Sequence, residues 1–482
     1  MNLLFVLHLV SLNLILFSFF LILPLIVSIL FQEKPFYTFL KVWILTLWIG
    51  ILGYFLTKKA KKEDIGRREA FLVVTLTWIV VAFFGSLTYL WSGVLKSFTD
   101  AYFEAMSGFT TTGSSVFTQV ENLPSSILFW RALTQWIGGL GIVVFVLAIL
   151  PWLGSGGMQL FKAEVPEITP DKLKPRIIDT AKLLWKIYIG ITIFLVLAYL
   201  ISGMSLFDAI CHTFTTISTG GFSTKNESIG HFKKPWLEYV VCLGMLMGGT
   251  NFTIYYYIIK KDFSKLKKNT ELRVYLLLII SFIILNTLFL KFFHALNWEK
   301  AFRVSGFQII SIITTTGYGT EDYLQWPYVS QVLLLFSMFF GGMIGSTAGG
   351  IKMVRIILVF KYLYKELYQL LHPKAVISIK LNGNVVSESI LGSIWGFIFL
   401  LNLVAFIATL ILASTGLDPL TAFSTVATTL NNVGPAFGEA GPTGNFSFIH
   451  PLGKWTLILC MLIGRLEYYT VILLFFPAFW KK

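Results

Sequence analysis

Thr315-Thr316-Gly317-Tyr318-Gly319 is the stretch on which the reading of this chain turns. A half-apolar segment, 300–316, leads into it, and a long apolar segment, 328–360, follows. The same arrangement recurs around Thr110-Thr111-Thr112-Gly113-Ser114, Ser218-Thr219-Gly220-Gly221-Phe222 and Asn431-Asn432-Val433-Gly434-Pro435. Asp100 and Asp208 each stand 13 residues before their glycine, and each is followed by Ala. Further on, Gly138-Gly139, Gly248-Gly249, Gly341-Gly342 and Gly464-Arg465 fall at matching places. Similarity at a roughly constant period is the mark of internal repetition.

Composition says where these repeats live. The 482 residues are 56% hydrophobic and only 13% charged, whereas soluble domains run near 45–50% apolar and about 25% charged. The chain reads as an all-α polytopic membrane protein with no soluble module. The apolar start lacks a basic region and a small-residue cleavage site, so it reads as a retained helix rather than a signal peptide. A net charge of +14 could point to nucleic acid, but placement explains it better. Basic residues crowd alternate loops, as in Lys58, Lys59, Lys61, Lys62, Arg67 and Arg68, or Lys260, Lys261, Lys265, Lys267, Lys268 and Arg273. The positive-inside rule puts those loops in the cytoplasm, and no nucleic acid is expected. The other loops hold Asp100, Glu104, Asp208, Glu227, Glu321, Asp322, Asp418 and Glu439. These acids would concentrate cations by electrostatic focusing, although any single one reads more simply as solvated loop charge. Three scattered cysteines and six unclustered histidines give no disulfide framework, zinc site or cofactor site. Nor do His, Asp and Glu cluster as a membrane enzyme would require, so the chain is not read as an enzyme.

A span needs about 20 apolar residues. Two candidates, near 5–30 and 36–57, form an N-terminal extension, 1–68. Four units follow, 69–160, 161–261, 262–372 and 373–482, each with a long helix, a short segment and a second long helix. The second helices are expected at 129–152, 236–259, 328–360 and 453–479. The short segments, 98–112, 205–219, 300–316 and 418–432, have roughly 15 residues, too few to cross. Alternating the spans puts both termini inside and every glycine signature outside. A segment that enters and leaves on one side is re-entrant, and non-helical backbone at that depth must line water or be buried in protein. Its C-terminal, partly negative end would favour a cation. Four like units fit a pseudo-fourfold ring around a central pore better than two inverted halves.

One such glycine stretch alone would read as helix packing by small residues. Four in register read as a ring of backbone carbonyls that replaces an ion's hydration shell; Thr315–Gly319 differs from the K⁺-channel filter T-V-G-Y-G only by Thr316. The candidate ion-coordinating residues are Thr111, Thr112 and Gly113; Thr219, Gly220 and Gly221; Thr315, Thr316 and Gly317; Asn432, Val433 and Gly434. Arg465 lies mid-way in an apolar segment, where a charge costs about 2.5–3.5 kcal/mol on insertion scales and marks function by default. Its alternative is a structural ion pair; Glu467 does not share its face. In the other repeats its place is held by Gly139, Gly249 and Gly342. If those line a pore, Arg465 projects a barrier into it. Between Gly341 and Gly350 five glycines disfavour helix. Close packing is one explanation; a mobile gate formed by Gly345, Ser346, Thr347, Ala348, Gly349 and Gly350 is the other.

With these motifs together, the chain resembles the TrkH/KtrB branch of the Trk/Ktr/HKT superfamily of K⁺ transporters over essentially its whole length. The two-helix extension favours the TrkH side. The resemblance implies uptake of K⁺ (and Rb⁺) across the bacterial inner membrane and a homodimer with one pore per subunit in membrane lipid. It also implies an intramembrane gate at 341–350 and a cytosolic, nucleotide-binding regulatory partner of the TrkA type. Na⁺-favouring relatives replace the first filter glycine by Ser; Gly113 is retained, which implies K⁺. The alternative is an H⁺- or Na⁺-coupled K⁺ symporter, for which Glu467 is the main candidate carboxylate.

Overall fold

The computed structural model describes residues 1–60, 66–141 and 177–481 of the chain. It is an all-α polytopic membrane protein; its strands, Lys380–Leu381 and Asn384–Val385, make one small hairpin. Among the described residues six helices are long and apolar enough to span: Leu3–Leu30, Phe36–Thr57, Arg67–Trp91, Thr180–Ile201, Thr270–Phe293 and Glu388–Ser414. Large apolar side chains such as Leu56, Leu277, Phe399 and Phe406 are exposed on these outer helices, which suits hydrocarbon rather than water.

The four short segments are helices Phe98–Phe109, Leu206–Ile217, Trp298–Ile313 and Pro419–Asn431. Three of them start at a capping side chain: Ser205 accepts from the Asp208 N–H, Asn297 from that of Lys300, and Asp418 from those of Leu420 and Thr421. Such caps satisfy donors that the first turn leaves free. All four are sheathed by the longer helices, so that Phe103, Thr213, Ser305 and Thr425 are completely buried.

The second helices depart from the sequence expectation. Only the third was expected to break, yet a break falls at the glycine pair of several repeats. Pro235–Gly249 and Phe252–Ile259 meet at 100°, and Pro451–Arg465 and Tyr469–Phe475 at 117°. The third ends early, at Ser337, and helix resumes at Met353. The first, Ser125–Gly139, ends at its glycine pair; the remainder of its expected span, 142–152, and the basic residues Lys162, Lys172, Lys174 and Arg176 lie outside the described residues. The cause is close backbone packing. A Cβ on Gly138 would overlap the Phe109 carbonyl, one on Gly464 the Leu430 carbonyl, and one on Gly248 would press within 3.0 Å of the Ile217 carbonyl oxygen. In each case the second helix lies against the last turn of its own short helix.

Candidate functional site

Each short helix ends in the same way. The N–H groups of Thr111, Thr219, Thr315 and Asn432 bond carbonyls three residues back, at 3.0, 2.9, 2.9 and 3.4 Å. The next residues, Thr112, Gly220, Thr316 and Val433, reach five back, at 2.9, 2.8, 2.8 and 2.9 Å. This is a Schellman ending, whose left-handed position is normally glycine. Here Thr111, Thr219, Thr315 and Asn432 hold it, at φ of 55°, 53°, 56° and 53°. A β-branched residue there is strained. Two residues on, Gly113, Gly221, Gly317 and Gly434 also have positive φ, between 78° and 108°.

These glycines close a ring. A Cβ on Gly113 would overlap the Gly220 carbonyl oxygen, one on Gly221 that of Thr316, and one on Gly317 that of Val433. One on Gly434 would lie 2.8 Å from the Thr112 oxygen. Each loop thus leans on the carbonyl preceding the next loop's glycine, one to two, two to three, three to four and four to one. Side chains pin the contacts. Ser114 Oγ donates to the Gly434 carbonyl at 2.9 Å, and Gln135 Nε2 to that of Gly220 at 2.7 Å. Tyr318 Oη bonds Thr215 and donates to the His212 carbonyl. One cavity above the ring touches all four glycines.

Beneath the ring lies the glycine-rich segment. Gly345 and Gly350 have positive φ, 71° and 69°. Ser346 Oγ donates to the Met343 carbonyl at 2.6 Å, and Ala348 is buried. Thr347 Oγ1 donates to the carbonyls of Ile217, at 2.8 Å, and Gly248, at 3.0 Å. The Gly349 N–H donates to Thr315 Oγ1 at 2.7 Å. One oxygen of the buried Glu271 accepts from the N–H groups of Ile344 and Val354, on either side of the segment. Lys352 Nζ donates to the Ala348 carbonyl.

Arg465 ends its helix at this level. Its guanidinium donates to Thr111 Oγ1 at 3.2 Å and to the carbonyls of Thr347, Gly138 and Gly139 at 2.7, 2.6 and 2.7 Å. It joins the first repeat, the glycine-rich segment and the fourth repeat. Packing bears on the glycines at the matching place: a Cβ on Gly139 or Gly249 would press on Tyr188 Oη or Tyr275 Oη, each at 2.6 Å, in the neighbouring repeat. Glu467 pairs with Arg355, not Arg465. Of the outer acids, Glu227, Asp418 and Glu439 are exposed, as solvated loop charges would be, but others are not. Asp100 bonds Lys454, Glu321 pairs with Lys300, and Glu104 is wholly buried against Arg131. Arg131 went unremarked in the sequence although it is a charge within an apolar helix, the signal that marked Arg465, whereas Glu271 sits in the first turn of its helix and gave no such signal. Among the described residues no cluster of His, Cys, Asp and Glu could hold a metal.

The arrangement is a closed girdle of carbonyl-bearing loops above a packed, charged segment. Comparison with known proteins shows the family. The family model "TrkH: Cation transport protein" matches residues 36–482. The chain is 40% identical to the Trk system potassium uptake protein TrkH of Escherichia coli (strain K12), over 98% of this chain and 99% of that protein. It is 39% identical to the protein of the same name from Halomonas elongata, over the full length of both. The crystal structure of the potassium transporter TrkH from Vibrio parahaemolyticus superposes with a TM-score of 0.90 at 37% identity, covering all of both chains. The chain therefore belongs to the TrkH family of cation transport proteins.

Proposed function

We propose that this protein takes up K⁺, and Rb⁺, across the bacterial inner membrane through a channel-like pore whose selectivity filter is the ring of four loops. The observation that carries the reading is the cyclic contact of each loop glycine with the carbonyl that precedes the next. Thr111–Gly113, Thr219–Gly221, Thr315–Gly317 and Asn432–Gly434 would present their carbonyls to a dehydrated ion. Segment 345–350 and Arg465 form the gate: they sit directly below the ring and are bonded to it through Thr315 and Thr111. A fixed guanidinium on that path opposes a cation until it moves. In this reading both termini are cytoplasmic, the protein is a homodimer in membrane lipid with one pore per subunit, and a TrkA-type nucleotide-binding partner in the cytosol moves the gate. The driving force is the membrane potential, about 2.3 kcal/mol per charge per 100 mV.

The second reading, an H⁺- or Na⁺-coupled symporter, rests on the carboxylates near the gate, Glu271 and Glu467. One experiment separates the two: ⁸⁶Rb⁺ uptake into proteoliposomes with an imposed voltage and no H⁺ or Na⁺ gradient. Uptake that follows the voltage alone supports the channel, and uptake that appears only with a gradient sinks it.

A further inference from the structure

The outer lip of the ring is held unequally. Nine residues before the ring glycine, the four short helices carry Glu104, His212, Gln308 and Thr425. Two residues after the glycine, the loops carry Ser115, Ser223, Gly319 and Ala436. In the first two repeats these positions are tied together. Both oxygens of Glu104 accept from Ser115 Oγ, at 3.0 and 3.1 Å, and Oε2 also accepts from the Val116 N–H at 3.0 Å. His212 Nε2 lies 3.0 Å from Ser223 Oγ. In the third repeat Gly319 offers no side chain, and the buried Gln308 Nε2 has no hydrogen-bond partner.

Arg131 joins the two tethered lips. Nε donates to Glu104 Oε1 at 2.8 Å, Nη2 to Ser115 Oγ at 3.1 Å, and Nη1 to the Ser223 carbonyl at 3.1 Å. The guanidinium lies 4.2 Å from the Phe222 ring centroid and 5.3 Å from that of Phe117. Arg131 is 2% exposed and Glu104 0%. A fully buried ion pair is weak evidence of stabilisation, because desolvation offsets the attraction. What it does supply is fixed geometry, with three donor nitrogens on three separate acceptors and the guanidinium set against two aromatic rings.

We infer that Arg131 and Glu104 form a clamp that fixes the spacing of the first two filter loops and so sets discrimination between K⁺ and the smaller Na⁺. This rests on the filter reading above. Carbonyl coordination distinguishes ions through the number and placement of its oxygens. Ser115 and Ser223 stand two residues beyond the ring glycines, so play at the clamp passes directly to those carbonyls. Arg131 and Glu104 are positioning residues; they do not touch the ion.

The test uses the full chain in proteoliposomes and reads competition of Na⁺ against ⁸⁶Rb⁺ influx, giving a Rb⁺/Na⁺ ratio. The double variant Glu104→Gln with Arg131→Gln removes both charges, leaving no unpaired ion. Its ratio should fall about tenfold, the value of one charge-assisted hydrogen bond. Ser115→Ala leaves the ion pair in place, removes only the hydroxyl's bonds to it, and should lower the ratio by less, about threefold; Ser115→Thr, which keeps the hydroxyl, should restore it. If the double variant does not fold, the serine pair decides the matter alone. A wild-type ratio in Ser115→Ala, or reduced flux with an unchanged ratio, overturns the clamp. Gly113→Ser separates the two layers of the argument: a changed ratio there with none at the clamp leaves the filter reading standing, and no change in either removes both.

Discussion

The ring and the level just beneath it are built from the same four repeats, yet they treat repetition in opposite ways. In the ring one backbone plan is used four times, with a left-handed residue at φ 53–56° followed two positions later by a left-handed glycine. Below it, each second helix fares differently. One ends at Gly139, one turns by 100° after Gly249, one is interrupted between Ser337 and Met353, and one turns by 117° after Arg465. Coordination of a spherical ion asks for near-equivalent carbonyls. A gate asks for one element that can move against others that stay, and that requires the repeats to differ. A single chain holding all four repeats can satisfy both demands.

Three substitutions probe that contrast, in falling order of effect. Gly317→Ala strikes the symmetric layer. It sets an L-residue at φ +80° and drives its Cβ into the Val433 carbonyl. Backbone strain of about 1–3 kcal/mol plus the overlap should cut ⁸⁶Rb⁺ uptake at least ~100-fold. Near-normal uptake would mean that the ring's geometry is not what conducts. Arg465→Ala strikes the asymmetric layer. It removes donors to Thr111, Thr347, Gly138 and Gly139, and hydrogen bonds to a charged group are worth about 1.5–3 kcal/mol each. Uptake should rise about tenfold; unchanged flux at equal protein loading argues against a barrier. Thr315→Val touches the joint between the layers by deleting the acceptor for the Gly349 N–H. A lost neutral hydrogen bond of about 1 kcal/mol predicts a rise in open time of roughly fivefold in single-channel recordings. A fall instead would place Thr315 in conduction rather than in closure.

Much of this was legible before any coordinates. The glycine register located the four short helices to within about three residues at either end, because capping residues and amphipathic spacing are local signals. The bends at Thr250 and at Leu466–Tyr468 were not legible. They arise where a helix meets another helix's terminal carbonyl, a contact between segments far apart in sequence. Glu467 and Tyr468, both at positive φ, carry no glycine to announce the turn. The left-handed threonines were hidden for a related reason, since threonine is a poor choice there and its hydroxyl's partners come from the layer beneath the ring. Thr111 and Thr315 have such partners in Arg465 and Gly349. Glu104 was read as a loop charge because its counter-ion, Arg131, lies 27 residues away on another helix.

The contact that closes the ring has a consequence for how the protein is made. Ser114 and Gly434 are 320 positions apart, and Arg465 and Thr111 354. Closing contacts of that sequence separation form late, and domains built on them fold slowly. While residues 318 to 434 are being made, three loops stand without the fourth, each holding a strained residue, and the ring has yet to close. The last fifth of the chain is therefore the keystone, and until it is inserted the membrane contains an arch rather than a closed ring.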